Sequence, residues 1–189
     1  MADVEIGIGK SGRRAYGFED IAIVPSRRTR DPEEVDIAWE IDAFRFELPV
    51  MASPSDSVVS PAVAAELGRL GGLGVLHLEG LWTRYADPEP VLDEIAGLPV
   101  DKATHRMQEV YAEAVQPDLV EQRIGELKAQ GHTVAVACTP PRTLGLAPHI
   151  LRAEPDLLVI QGTVVSAEHV ARQQEPLNLK DFILSLIHI

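Results

Sequence analysis

Cysteine is almost absent from this sequence: Cys138 is the only one among 189 residues. A single cysteine cannot form an internal disulfide, and it cannot supply a cysteine-based metal cage. The histidines are scattered, and no two of them have the i, i+4 spacing of a helical zinc site. The sequence therefore predicts a protein without a structural metal.

Long apolar runs and an excess of positive charge are also missing. No stretch of roughly 18 apolar residues occurs, and the N-terminus lacks the basic start and apolar stretch of a signal peptide. Acidic residues outnumber basic ones by 29 to 17, which gives a formal net charge of −12. Such a surface repels phosphate backbones and anionic membranes. We therefore expect a cytoplasmic protein that binds neither nucleic acid nor a membrane.

Short apolar runs alternate with helical patterns from about residue 47 onward. Four runs predict buried strands, at residues 49–52, 73–78, 133–138 and 157–161. Ser60 followed by Pro61 is typical of a helix start, Gly71 and Gly131 are typical of helix ends, and a clear helical pattern begins at Pro117. Apolar strands that are each followed by a helix predict a parallel α/β sheet. Both a doubly wound fold and a (β/α)₈ barrel satisfy this pattern.

The pattern weakens toward the end of the sequence. Pro140 and Pro141 predict a chain break, with a short helix between them and Asp156. Ser166 is a candidate cap for a helix that reaches about Val170. Residues 175–183 predict a loop and a helix that lead to a fifth strand.

Four stretches resemble a known family. They are YGFEDIAIVP at residues 16–25, PVMASPSD at 49–56, GGLGVLH at 71–77 and DLLVIQG at 156–162. In this order they resemble the IMP dehydrogenase/GMP reductase family, in particular its short actinobacterial branch without CBS domains. The resemblance implies the N-terminal half of a TIM (β/α)₈ barrel, truncated after about four β/α units. It divides the chain into an N-terminal segment (1–46), a partial barrel (47–183) and a tail (184–189) that we interpret as non-native.

The resemblance also implies an activity for the intact parent. Family members convert IMP to XMP with NAD in guanine nucleotide biosynthesis, or reduce GMP, and a monovalent cation is a candidate second cofactor. The implied partners are a purine nucleotide (IMP, XMP or GMP) and further copies of the chain, in a tetramer or octamer. The family's nucleophilic cysteine follows the sixth strand and would lie beyond residue 189. We therefore expect no catalytic residue in this chain, and no activity from it alone.

The resemblance carries two groups of site residues onto this sequence. The nucleotide-binding candidates are Ser53, Ser55 and Asp56, and the cofactor-binding candidates are Gln161, Gly162 and Thr163. Ser53 matches the family serine that approaches the nucleotide, and Ser55 stands where a methionine normally packs on the purine. Asp56 matches the family aspartate, with capping of the next helix as the alternative role.

Gln161 is the main departure from the family pattern. It stands where the family carries an aspartate that accepts hydrogen bonds from the nicotinamide riboside, and a neutral amide does so more weakly. Together with Ser55, it leaves a second hypothesis open: a catalytically silent member that binds a purine nucleotide as a regulatory or oligomeric partner. A third hypothesis is an unrelated phosphate-binding barrel, such as an FMN enzyme.

Two tempting motifs carry no function. Cys138 ends the third predicted strand, whereas the family nucleophile follows the sixth, so we expect a buried small apolar residue. The stretch from Gly7 to Gly12 matches G-x-G-x-x-G. Only six residues precede it, too few for the strand that supports a nucleotide-binding loop.

Overall fold

The computed structural model describes residues 4–25, 27–162 and 177–186. The chain divides into two compact units, Met1–Asp36 and Ile37–Ile189. None of the described helices is long and apolar enough to cross a membrane.

The first unit begins with a small antiparallel hairpin. Strands β1 (Val4–Gly7) and β2 (Lys10–Gly12) pair with each other, and Gly9 turns the chain with a φ of 68°. A side chain at this φ would be strained, which explains the glycine. The G-x-G-x-x-G stretch therefore forms a hairpin.

The second unit opens with another hairpin and continues into a parallel sheet. Strands β3 (Trp39–Ile41) and β4 (Phe44–Phe46) pair in antiparallel fashion. Four strands then form a parallel sheet in the order of the chain: β5 (Met51–Ala52), β6 (Leu73–His77), β7 (Ala135–Cys138) and β8 (Leu157–Ile160). All four lie within or overlap the predicted runs, and the predicted parallel α/β architecture is confirmed.

Six α-helices belong to the described part of this unit. They are α1 (Pro61–Arg69), α2 (Glu89–Ala96), α3 (Val100–Val110), α4 (Pro117–Lys128), α5 (Pro140–Ala153) and α6 (Leu179–Leu186). The helix predicted from Ser166 to Val170 lies outside the described residues.

The two faces of the parallel sheet pack against different partners. One face contributes Leu76, Val136 and Cys138 to a core cluster with apolar residues of α1, α4 and α5. The opposite face contributes the alternate residues Val75 and Ala135 to a smaller cluster with aromatic side chains of the β3–β4 hairpin. Helices α1, α4 and α5 therefore cover one face of the sheet, and a hairpin covers part of the other.

Helix α1 begins and ends as its local sequence predicts. The hydroxyl of Ser60 accepts a hydrogen bond from the backbone N–H of Val63 at 3.1 Å, and Pro61 takes the first helical position. At the other end, Gly71 has a φ of 85°, and the N–H of Gly72 donates to the carbonyl of Leu67 at 2.8 Å.

The prediction of a chain break and a short helix after β7 is wrong. Helix α5 has 14 residues and begins at Pro140 itself, with Thr139 as its N-cap residue. Prolines at the first two helical positions cost no intrahelical hydrogen bond, because those N–H groups would be unpaired in any case. The helix even contains Pro148 in its interior. A proline pair is therefore a helix start here.

Candidate functional site

Parallel strands bring their carboxyl ends to one edge of a sheet, where α/β proteins place their ligand sites. Ser53 follows β5 directly and is exposed. Gln161 follows β8 and is also exposed, and its N–H donates to the carbonyl of Cys138 at 2.9 Å, which extends the ladder by one residue. Gly162 is exposed beside it, whereas Thr163 lies outside the described residues. The structure therefore places Ser53, Gln161 and Gly162 at this edge.

His77 lies at the same edge, although sequence reasoning did not propose it as a site residue. It ends β6 and pairs in register with Ala137 on β7. Because side chains alternate along a strand, its imidazole belongs to the face of Leu73 and Val75, which is not the face covered by helices α1, α4 and α5. The two-residue periodicity of this run was the signal that could have identified it.

Ser55 and Asp56 belong to the loop that follows β5. The hydroxyl of Ser55 lies 2.9 Å from that of Ser57, and its carbonyl accepts the N–H groups of Val58 and Val59. These bonds hold the loop in a compact turn. The alternative role of Asp56 as the cap of α1 is wrong, because Ser60 fills that position.

Asp56 instead joins distant parts of the chain. Its Oδ2 accepts a hydrogen bond from the N–H of Leu81 at 2.7 Å and one from the hydroxyl of Tyr111 at 2.5 Å. Its Oδ1 is buried without a hydrogen-bond partner. Only a glycine at position 80 leaves room for the Asp56 carboxylate, because a Cβ there would lie 2.0 Å from Oδ1. The loop after β5 is thereby fixed to the loop after β6.

Tyr111 and Arg84 extend these contacts. Burial, and then the hydrogen bond to Asp56, raise the pKa of Tyr111 above its ordinary value. The guanidinium of Arg84 lies 5.7 Å from the centre of the Tyr111 ring, and its Nε donates to the carbonyl of Glu79 at 3.0 Å. Arg84 also donates to the carbonyl of Glu113. The phenol is therefore held in its neutral form between a carboxylate and a cation.

Glu79 connects Arg84 to the end of strand β7. Its Oε1 accepts a hydrogen bond of 2.6 Å from the backbone N–H of Thr139, the N-cap residue of α5. A cleft of about 460 Å³ has Arg84, Tyr111 and Arg142 in its lining. The loops after β5, β6 and β7 are thus linked through side chains.

Cys138 faces away from this edge. It is fully buried in the cluster between the sheet and the helices, and its sulfur lies 3.3 Å from the hydroxyl of Thr143. Burial raises the pKa of its thiol, so the reactive thiolate is disfavoured. The prediction of a buried, small apolar residue is confirmed.

The part of the chain that the structure describes contains no candidate metal-binding site. No group of three or more histidine, cysteine, aspartate or glutamate side chains there could hold a metal ion. The edge instead offers hydroxyl, amide and imidazole groups, which suit hydrogen bonds to an organic ligand.

Comparison with known proteins decides the family. The model of the IMP dehydrogenase / GMP reductase domain matches residues 15–173. The chain belongs to the IMP dehydrogenase/GMP reductase family. The match includes the β5–β8 sheet and the edge residues Ser53, His77 and Gln161.

Relatives with similar sequences divide into two groups. An uncharacterized oxidoreductase of Mycolicibacterium smegmatis is 49% identical over 188 residues, which is 97% of this chain and 50% of that protein. An uncharacterized oxidoreductase of Mycobacterium leprae gives the same identity and coverage. Inosine-5'-monophosphate dehydrogenase of Methanocaldococcus jannaschii is 32% identical over 65 residues, 34% of this chain and 13% of that enzyme.

A solved structure agrees with this assignment. An IMP dehydrogenase/GMP reductase-like protein from Corynebacterium glutamicum superposes with a TM-score of 0.80 and 44% identity, over 97% of this chain and 49% of that one. The chain thus spans about half the length of the Mycolicibacterium smegmatis relative and of this solved structure.

Proposed function

We propose that this chain forms the first half of a (β/α)₈ barrel, truncated after about four β/α units. Two observations support the proposal. The strands follow one another in chain order, and helices α1, α4 and α5 all pack on the same face. A doubly wound sheet reverses its strand order and carries helices on both faces, whereas a barrel does neither. The division into an N-terminal segment (1–46), a partial barrel (47–183) and a non-native tail (184–189) remains part of this proposal.

For the whole protein we propose an NAD-dependent oxidoreductase that converts IMP to XMP. The observation that carries it is the match of the family model to residues 15–173, with polar side chains exposed at the carboxyl edge within that match. The protein would act in the cytoplasm, in purine biosynthesis. Its subunits would assemble as a tetramer or octamer, and a monovalent cation is a candidate second cofactor. The chain by itself would be inactive, because the family's nucleophilic cysteine follows the sixth strand.

The residues at the edge suit the two ligands. Ser53 has an exposed hydroxyl that can donate to, or accept from, a phosphate or ribose oxygen of the nucleotide. Gln161 has an exposed amide that can donate to and accept from ribose hydroxyls of NAD, the cofactor that would serve as the oxidant. Gly162 leaves room for close approach of a ligand to the backbone. Ser55, Asp56 and Thr163 complete the proposed contacts, with Asp56 acting by shaping the loop.

The test is an activity assay on the complete gene product that contains this chain. We expect NADH to form, followed at 340 nm, when IMP and NAD are supplied. Ser53→Ala should raise KM for IMP about tenfold, the cost of one hydrogen bond to a charged group. Thr104→Ala should leave KM unchanged, because that hydroxyl donates within its own helix, to the carbonyl of Val100. Absence of NADH formation by pure, folded wild-type protein would refute the proposal.

A catalytically silent, nucleotide-binding member is the second candidate. Two departures from the family favour it: Ser55 replaces the methionine that packs on the purine, and Gln161 replaces the aspartate that accepts from the riboside. It predicts that IMP, XMP or GMP binds in a calorimetric titration while neither IMP oxidation nor GMP reduction takes place. Turnover of either nucleotide would exclude it.

A further inference from the structure

Glu79 forms hydrogen bonds in two directions at the carboxyl edge of the sheet. It follows β6 by two residues, in the turn that leaves the strand. Its carboxylate accepts the N–H of Thr139, and its backbone carbonyl accepts Nε–H of Arg84. One residue therefore holds both the neighbouring loop after β7 and a cation of its own loop.

The chain of contacts continues through Arg84. Its guanidinium lies over the ring of Tyr111, and the hydroxyl of Tyr111 donates to Asp56. The same Asp56 oxygen accepts the N–H of Leu81, back in the loop after β6. We call Asp56, Glu79, Arg84, Tyr111 and Thr139 the rim network. It joins the loops that follow three consecutive strands, β5, β6 and β7.

We propose that Glu79 is a positioning residue for the nucleotide site: its carboxylate holds the end of β7 against the loops after β5 and β6, the first of which carries Ser53. The inference rests on the proposed function, since it concerns that same site. Glu79 touches neither ligand in this proposal. It acts by keeping the strand-end side chains where the nucleotide meets them.

The chemistry of the contact explains why a carboxylate suits this position. The N–H of Thr139 is one of the backbone donors near the start of α5, where the helix dipole makes a negative partner favourable. Charge-assisted hydrogen bonds of this kind are about twice as strong as neutral ones. A glutamine keeps an acceptor oxygen at the same reach, whereas an alanine removes it.

Two substitutions at Glu79 and one control test the proposal in the complete gene product. Glu79→Ala removes the acceptor, and Glu79→Gln keeps it without the charge. Glu121→Ala is the control: it removes a carboxylate that accepts from His149 between α4 and α5, in the helix layer. The measurements are kcat and KM for IMP, the melting temperature, and hydrogen exchange at the amide of Thr139.

We expect Glu79→Ala to raise KM for IMP about tenfold, with faster exchange at Thr139, and Glu79→Gln to recover most of the loss. Glu121→Ala should lower the melting temperature and leave KM unchanged. An unchanged KM in Glu79→Ala, or equal KM increases in Glu79→Ala and Glu121→Ala, would overturn the inference while the proposed function stands. A pure, folded wild-type protein that does not oxidise IMP would instead refute the proposed function, and the inference with it.

Discussion

Two glycines offer the same substitution with opposite expected effects on stability. Gly74 lies on β6 beneath α1, where an added Cβ would be 2.5 Å from the Cα of Ala64 and 2.9 Å from its Cβ. The Cα is part of the backbone of α1, and the Cβ is bonded directly to it. Neither atom can therefore move aside without displacing α1. Gly125 lies within α4, and an added Cβ there would have no atom within 4 Å.

The magnitudes follow from these surroundings. Overpacking a core costs about 1–3 kcal/mol, so Gly74→Ala should lower the free energy of unfolding by about that amount. Replacing glycine by alanine in an open helix position gains about 1 kcal/mol through lower backbone entropy in the unfolded chain. Gly125→Ala should therefore raise it by about 1 kcal/mol. For a chain of this size, each kcal/mol moves the melting temperature by about 2–4 °C.

Urea unfolding, followed by circular dichroism with both variants and the wild type side by side, is the assay. The urea midpoint of Gly74→Ala should lie below that of the wild type and the midpoint of Gly125→Ala above it. The dependence of the unfolding free energy on urea concentration should be the same for all three proteins. If Gly74→Ala were as stable as the wild type, α1 would not pack on β6 as closely as described. If Gly125→Ala were destabilised, that face of α4 would be covered rather than open.

Three further outcomes can be checked on the same preparations. Arg123→Met should lower the free energy of unfolding by about 2–3 kcal/mol in urea titrations, because Nε donates to the carbonyl of Trp82 and the guanidinium is nearly buried. The fold raises the pKa of the Cys138 thiol, so the protonated thiol stabilises the fold fully below the unfolded pKa of about 8.5, and this stabilisation is lost as pH rises through the folded pKa. Urea titrations from pH 7 to pH 10 should show the free energy of unfolding decline, and Cys138→Ala should make that decline smaller. Tyr111→Phe should cost about 1 kcal/mol by removing a donor to Asp56, and no change in the urea midpoint would contradict that bond.

Local signals in the sequence were enough to predict the starts of α1 and α4 and the four strands of the parallel sheet. Ser60 and Pro61 mark the start of α1 because the cap and the first turn involve neighbouring residues only. Pro140 and Pro141 were misinterpreted, because the same residue type both ends helices and begins them. The hairpin of β3 and β4 was missed although its apolar residues alternate around a turn at Asp42, which adopts a φ of 51°.

The site depends on contacts that no local pattern contains. Asp56 meets the N–H of Leu81 across 25 residues and the hydroxyl of Tyr111 across 55. Such partners are brought together by the sheet, so family resemblance could mark Asp56 without showing what it does. His77 could have been found from the alternation of side chains along β6, whereas Glu79 lies in the turn beyond it and its partner Thr139 is 60 residues away.

The strand order β5-β6-β7-β8 has a consequence for how this protein is made. Each strand pairs with the one that leaves the ribosome just before it, and domains generally fold from the N-terminus as they are synthesised. We therefore expect the four strands to assemble on the ribosome in the order of translation, so that each new β/α unit adds to a sheet already in place.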